Sequence, residues 1–483
     1  MKKFWIVLIA LGLVAAFSMS ASAADVKFSG SYYVEGWYDD NHSLLDKGDT
    51  STISNRGPIA LYHQRLRVQT DFKVAEGLTL TTRFDALERN WGDRRERNVA
   101  TTTVPGVGNT SASVETASRN YNSVITNNSA TIAIQEQGNI EFERAYVTAD
   151  LPFGRLIVGY SEDIAWGTDF LDTVTTRPAI TLVVPVGPMT FIAKAKKNQE
   201  GTMWNGFGNM NNSDSDIYDV AGIFKWKGGE AGLLIEYLNG QNNNTKTLDI
   251  ATQVFAFFPY FKATLGPVFM EGEAYYGTGD WQKFDNVPAG ATNVTISTYG
   301  ISLHAKVDLN PVYVGGRFIY MLGDDPNTPD KKEGSIAAAL VAGQAFLPCL
   351  MLFNDSFYTA TNTGYAGKAG SLATGNVAAA QFLDNVIFGQ LYAGVKPTPA
   401  WDIKFAATYA TAQQKPNDAA GKAFLSSDYG WEFDLTASYK IYDNLTYMVG
   451  GGFLVTGDYF KGSDANAKLS NDYILMHKLT LTF

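Results

Sequence analysis

The sequence predicts an all-β protein: a transmembrane antiparallel up-and-down β-barrel of about eighteen strands, with short turns at one end and long loops at the other. Three observations predict it. Apolar and polar residues alternate with period two from Val26 to the last residue, Phe483. The alternating runs are about ten to thirteen residues long, enough to cross a bilayer when tilted. Tight turns and long polar loops join them in alternation.

Taken in order, the runs are Val26–Tyr38, Ala60–Lys73, Leu78–Arg89, Ile140–Asp150, Arg155–Ser161, Pro178–Val184, Met189–Lys196, Asp216–Trp226 and Ala231–Leu238. They continue as Ile250–Lys262, Val268–Gly277, Val294–Val307, Val312–Leu322, Asn385–Lys396, Asp402–Ala412, Gly430–Ile441, Leu445–Thr456 and Asp472–Phe483. If Pro178–Val184, which begins on a proline, is not a strand, its neighbour fails with it and the count falls to about sixteen.

The chain opens with MKKFWIVLIALGLVAAFSMSASA. Lys2 and Lys3, the apolar stretch Phe4–Phe17 and the small residues Ala21, Ser22 and Ala23 form a secretory signal peptide. Residues 1–23 are therefore expected to be removed and residues 24–483 to form the barrel. The formal charge is −10, or −12 once Lys2 and Lys3 are gone, which argues against a nucleic-acid partner. Cys349 is the single cysteine, so no disulfide framework exists, and no haem-attachment or metal motif occurs. No cofactor is expected. Mean hydropathy is close to neutral, yet the chain has 25 Tyr and 46 Gly. That balance suits a wall that is apolar outside and polar inside.

The two faces separate cleanly. Ala60–Lys73 places Tyr62, Leu66, Val68 and Phe72 on one side and Arg65, Arg67 and Asp71 on the other. A soluble sandwich shares this alternation. Uniformly long strands, long loops on one side only, and aromatics such as Trp226, Trp431 and Tyr439 near the strand ends favour a barrel in lipid. Phe483 is the last rung of the last strand. With Leu479 and Leu481 it is expected to close the barrel against the first.

Several segments, namely QRLRVQTDF, RAYVTADLPFGRLIVGY followed by AWGTDF, FLPCLMLFND and GWEFDLTASYKIYDNLTYMVGGGFLVTGDYF, together with the terminal LTLTF, are spread over most of the mature chain. In them the chain resembles Gram-negative outer-membrane porins, of the eighteen-stranded alginate-export and related substrate-selective type. The resemblance implies a multi-pass outer-membrane protein surrounded by lipid and lipopolysaccharide. It also implies that barrel-assembly machinery reads the terminal Phe483. A homotrimer and a monomer both stay open, and no solute is identified.

If the apolar faces meet lipid, the other faces line a water-filled pore. The alternation puts Arg65, Arg67 and Asp71 there, with Arg83, Asp85, Arg144, Lys194 and Lys196. On the later strands it adds Glu271, Glu273, Lys306, Arg317, Glu432, Asp434 and Lys440. Arg65, Arg67 and Arg83 lie on adjacent strands. They form either a basic ladder, which favours anions, or ion pairs that stiffen the wall. The long loop from Gly323 to Asp384 contains SIAAALVAGQAFLPCLMLF, interrupted by Gly343, Gln344 and Pro348. It is read as a loop folded into the barrel mouth, with Asn354, Asp355 and Tyr358 as constriction candidates and Cys349 as a buried free thiol.

No His–Ser–acid set, HExxH or phosphate loop appears at suitable spacing, so no enzyme is expected. The function read from the sequence is a passive diffusion channel for small hydrophilic solutes or ions, either general or weakly anion-selective. The alternative is a barrel acting through its extracellular loops, as an adhesin or enzyme, or as a sheath for an electron-transfer partner.

Overall fold

The structure is a computed structural model. It describes residues 25–46, 57–92, 125–126, 129–130, 140–200, 214–241, 250–285, 287, 290–334, 346–354, 365, 369 and 383–483. The signal segment 1–23 and the constriction candidates Asp355 and Tyr358 lie outside the described residues.

Eighteen long strands form one closed sheet. They are β1 (Asp25–Asp39), β2 (Ile59–Ala75), β3 (Leu78–Asn90), β4 (Ile140–Leu151), β5 (Gly154–Ile164), β6 (Thr173–Val186), β7 (Met189–Gln199), β8 (Ser215–Trp226) and β9 (Gly229–Gly240). The second half is β10 (Ile250–Leu265), β11 (Val268–Phe284), β12 (Val294–Asp308), β13 (Val312–Met321), β14 (Val386–Val395), β15 (Trp401–Thr411), β16 (Asp428–Tyr442), β17 (Leu445–Thr456) and β18 (Asp472–Thr482). Every long strand pairs antiparallel with its chain neighbours, and β1 pairs with both β2 and β18.

The expected strand set is therefore present, including the sixth. That strand runs well beyond Pro178–Val184, and β11 extends to Phe284 rather than Gly277. The sequence pattern ends early because the loop-side ends of these strands break the alternation, with only Val174 in β6 and Trp281 and Phe284 in β11 among polar residues and glycine. Backbone pairing continues there without an apolar stripe to announce it.

Closure reaches the last residue. Gly30 and Phe483 exchange two backbone hydrogen bonds, of 2.8 and 3.1 Å. A Cβ at position 30 would lie 2.2 Å from the Arg67 carbonyl oxygen and 2.9 Å from the Phe483 ring, so only glycine fits this seam. A sheet closed in this way has no edge to leave unpaired in hydrocarbon.

The outer face is apolar. Leu391, Phe142 and Val220 are 73 %, 69 % and 64 % exposed. Facing water, such a surface would cost about 25 cal/mol per Å², a cost that lipid removes. Trp401 packs with Tyr439 near the short turns, and Tyr409 with Trp431 near the long loops, giving an aromatic pair at each interface. The apolar core of the protein lies inside the barrel. It joins Trp37 of β1 and Phe388 of β14 to two loop segments, around Trp166–Leu171 and Phe346–Phe353.

Candidate functional site: the barrel interior

The inner face carries charge on nearly every strand. Across β2–β5 the arginines are paired. Arg67 grips Asp85 through two hydrogen bonds of 2.7 and 2.6 Å. Arg65 lies 3.5 Å from Glu88 and 3.9 Å from Asp85. Arg83 lies 3.3 Å from Glu143, and Arg144 lies 2.6 Å from Glu162. Arg83 and Arg144 face each other in register, so their like charges depend on these carboxylates. Among the described residues Asp71 pairs with no arginine, and it accepts the Thr81 hydroxyl at 2.7 Å. Of the two readings of the Arg65, Arg67 and Arg83 row, the ion-paired wall describes the geometry.

The pairing continues around the wall. The Lys196 ammonium is buried at 2.9 Å from Asp163, 3.0 Å from Asp219 and 2.6 Å from Glu236. Lys194 donates to the backbone carbonyls of Glu162 and Asp163, at 2.6 and 2.5 Å. Such networks fix strand register, because removing one member leaves a buried charge without a partner. At the seam, Lys478 of β18 reaches Glu35 of β1 at 2.9 Å.

A different patch covers β10–β15. His304 bridges Glu271 at 2.8 Å and the Tyr392 hydroxyl at 2.7 Å. Tyr392 crosses β13 to reach it, over Gly315, where a Cβ would sit 2.3 Å from the phenol oxygen. Arg317 stands 3.9 Å from Glu271, and Lys306 pairs with Asp308 at 2.9 Å. Lys262 and Lys404 are half-buried and have no carboxylate at ion-pair distance among the described residues. Lys404 lies instead over the Tyr392 ring, 5.9 Å from its centroid. Lys440 is exposed at the turn end of β16.

Two loop segments fold into the bore. Residues 165–172, between β5 and β6, place Trp166 against Tyr260, and the indole donates to the Phe258 carbonyl at 2.8 Å. Thr168 donates its amide and hydroxyl to one oxygen of Glu273, at 2.8 and 2.7 Å. Asp172 accepts the Trp166 amide, and burial pushes its carboxyl up to about 6.

The second segment, residues 346–354, lies on β14–β16. Glu432 accepts the Met351 and Leu352 amides at 2.7 and 2.8 Å, and Asp434 accepts the Leu350 amide at 3.3 Å. Gln390 donates to the Pro348 carbonyl at 2.8 Å. Further along the same loop, Tyr365 donates to Asp39 of β1 at 2.5 Å. The loop thus has contacts on both sides of the barrel seam's interior. The two segments touch where Phe170 meets Phe346 edge to face, and the Arg317 guanidinium lies 4.6 Å from the Phe346 ring centroid.

These segments change the expected pore lining. Glu273, Glu432 and Asp434 belong to the inner face but are buried beneath the segments, so they do not meet water. Asn354 is buried too, and its amide closes the segment on the Leu350 carbonyl at 2.8 Å. The segment at 165–172 was legible only as a motif, AWGTDF. Its signal is an aromatic cluster in a loop too short and too apolar to lie in water.

Among solved structures, the chain is similar to Pseudomonas aeruginosa OccK9 (OpdG), with a TM-score of 0.50 and 11 % identity over 95 % of this chain and 99 % of that one. Pseudomonas aeruginosa OccK2 (OpdF) gives 0.48 and 10 % over 95 % and 98 %. Pseudomonas aeruginosa OpdK with vanillate gives 0.47 and 9 % over 95 % and 98 %. No family model matches the sequence, and no curated protein matches it. The likeness to OccK9 is one of fold, and it covers the whole closed barrel of this chain.

Proposed function

We propose that this outer-membrane barrel is a passive diffusion channel for small hydrophilic solutes and ions, with a weak preference for anions. The observation that carries the reading is a closed barrel with a charged inner face, narrowed by two segments that meet at Phe170 and Phe346. A wall of paired charge provides water-wetted rungs without trapping a solute at any one of them.

The anion preference rests on which charges are left over. Several acids of the inner face lie under the segments, whereas Lys262 and Lys404 remain half-buried and lack a carboxylate partner among the described residues. The passing solute therefore meets a slight excess of cations. The expected partners are the lipid and lipopolysaccharide that cover the outer face, and the machinery that inserts the strands.

A second reading, a barrel that acts through its extracellular loops, is favoured by the apolar cluster occupying part of the bore. Single-channel recording of the refolded chain separates the two. Steady open steps support the channel, and a silent bilayer with folded protein supports the second reading.

A further inference from the structure

Glu271, His304 and Tyr392 form a hydrogen-bonded chain across the inner wall, from β11 through β12 to β14. The His304 ring nitrogens lie 2.8 Å from Glu271 and 2.7 Å from the Tyr392 hydroxyl. An ionised carboxylate only accepts hydrogen bonds, so Nδ1 carries the ring hydrogen and donates to Glu271. Nε2 of the neutral ring then accepts the Tyr392 hydroxyl. That hydroxyl is committed to the histidine and is not offered to a solute in the bore.

His304 is placed differently from the other three histidines. His42 and His63 are buried, and His477 stands on the outward row of β18 against Tyr62. His304 is half-buried on the inner wall. Charged groups surround it from each side. Glu271 of β11 and Arg317 of β13 are its register neighbours. Lys306 lies on its own strand and pairs with Asp308, and Lys262 of β10 acts on Glu271 from the far side. Lys404 of β15 lies over the Tyr392 ring, and Asp169 of the first inward segment faces Arg317. Glu271 is the counter-charge that an imidazolium at this place needs.

We propose that His304 is a proton-operated specificity residue: its protonation adds a positive charge to the wall and turns the Tyr392 hydroxyl hydrogen from the ring toward the passing solute. This role belongs to the channel proposed above and falls with it. The proton comes from the bore water and binds Nε2, which becomes a donor. Two donors cannot meet in one hydrogen bond, so the Tyr392 oxygen accepts from Nε2 and its own hydrogen turns away. That hydrogen is then free for an acceptor such as a carboxylate or another anion. Nδ1 keeps its bond to Glu271 throughout. Acid therefore strengthens the preference for anions, and alkali removes the added part. Histidine is the side chain whose charge ordinarily changes between pH 5 and 8.

The test has two readouts on the full mature chain. The first is NMR of the histidine rings in detergent, with His304→Gln identifying the His304 signals; it needs no current. Those signals should move between pH 8 and pH 5, and a ring that stays neutral at pH 5 in the folded chain overturns the proposal. The second is the reversal potential in a planar bilayer, measured in the Asp172→Asn chain so that this other acid does not titrate. The anion-to-cation permeability ratio should rise several-fold from pH 8 to pH 5, the scale of one added charge beside a passing ion. The step should vanish with His304→Gln and shrink with Tyr392→Phe. An equal step with and without His304→Gln overturns the proposal, and a step unmoved by Tyr392→Phe overturns the part given to the hydroxyl. An open channel without the step fails this inference alone. A titrating ring in a folded barrel that never conducts fails the channel reading, and the specificity role with it.

Discussion

Phe170 and Phe346 meet edge to face with ring centroids 6.0 Å apart, and each comes from a different loop folded into the barrel. Each segment is held to the wall by a carboxylate: Glu273 accepts the Thr168 amide and hydroxyl of the first, and Glu432 accepts the Met351 and Leu352 amides of the second. The constriction is therefore a joint between two tethered pieces. Replacing Phe170 or Phe346 by Ala removes the contact and leaves both tethers. Single-channel conductance should rise in either variant, and the double variant should add little, because one contact is lost only once. Unchanged conductance in both would place the narrowest point elsewhere.

Cys349 reports on the same joint. Burial pushes its thiol up, and the residue is 3 % exposed. A maleimide should leave the native barrel unlabelled. Glu432→Ala strands the buried Met351 and Leu352 amides, at a cost of about 1–3 kcal/mol for each donor left unsatisfied. Labelling should then become rapid while the barrel itself stays folded. Fast labelling of the parent chain would show that the segment does not dock.

Asp172 gives the first segment a pH dependence. Its carboxyl is raised to about 6, first by burial, then by Glu162 and Asp169, against the opposing Trp166 amide and Lys262. A raised acid favours the docked state in its protonated form. That stabilisation is complete below the ordinary carboxylate value near 3.8 and is lost as pH rises through about 6. Acidifying from pH 7 to 5 should quiet conductance fluctuations and lower the mean open level. Asp172→Asn should remove this step, and a step that persists in the variant would assign it to another group.

How much of this was legible in the sequence follows from which forces leave a pattern. The period-two alternation along Ala60–Lys73 and Gly430–Ile441 marks lipid and lumen faces directly, because each strand has two different solvents. The terminal Phe483 pointed to a seam, and Gly30 supplies the partner position. The interior was harder to read. Arg67 and Asp85 belong to different strands, and their pairing depends on register, which no single strand encodes. Glu273 and Glu432 look like pore-lining acids by alternation alone. Only the loops that cover them reveal their role as tethers.

The ion-paired wall makes a stability prediction. Arg67→Ala leaves Asp85 with Arg65 at 3.9 Å as its remaining cation at ion-pair distance among the described residues. A loss of about 3 kcal/mol is expected in urea unfolding from liposomes. Arg67→Ala combined with Asp85→Ala should recover part of it, since no buried charge is then left alone. Additive losses would mean that the pair is not coupled.

The seam makes another. Gly30→Val places a side chain into the Arg67 carbonyl and the Phe483 ring. Removing Phe483 deletes both backbone bonds to Gly30. Each change should lower the yield of heat-modifiable, folded barrel, and Gly30→Val more than the deletion, because a clash cannot be relieved by water.

The most direct measurement is the reversal potential of the refolded channel in a salt gradient, for the parent chain and for Lys262→Glu with Lys404→Glu. Steady open steps are expected, with a small reversal potential on the anion side and a change of sign in the double variant. An open channel whose reversal potential is on the cation side, or is unmoved by the two substitutions, would contradict the assignment of selectivity to the unpaired lysines. A folded barrel that never opens would contradict the channel itself.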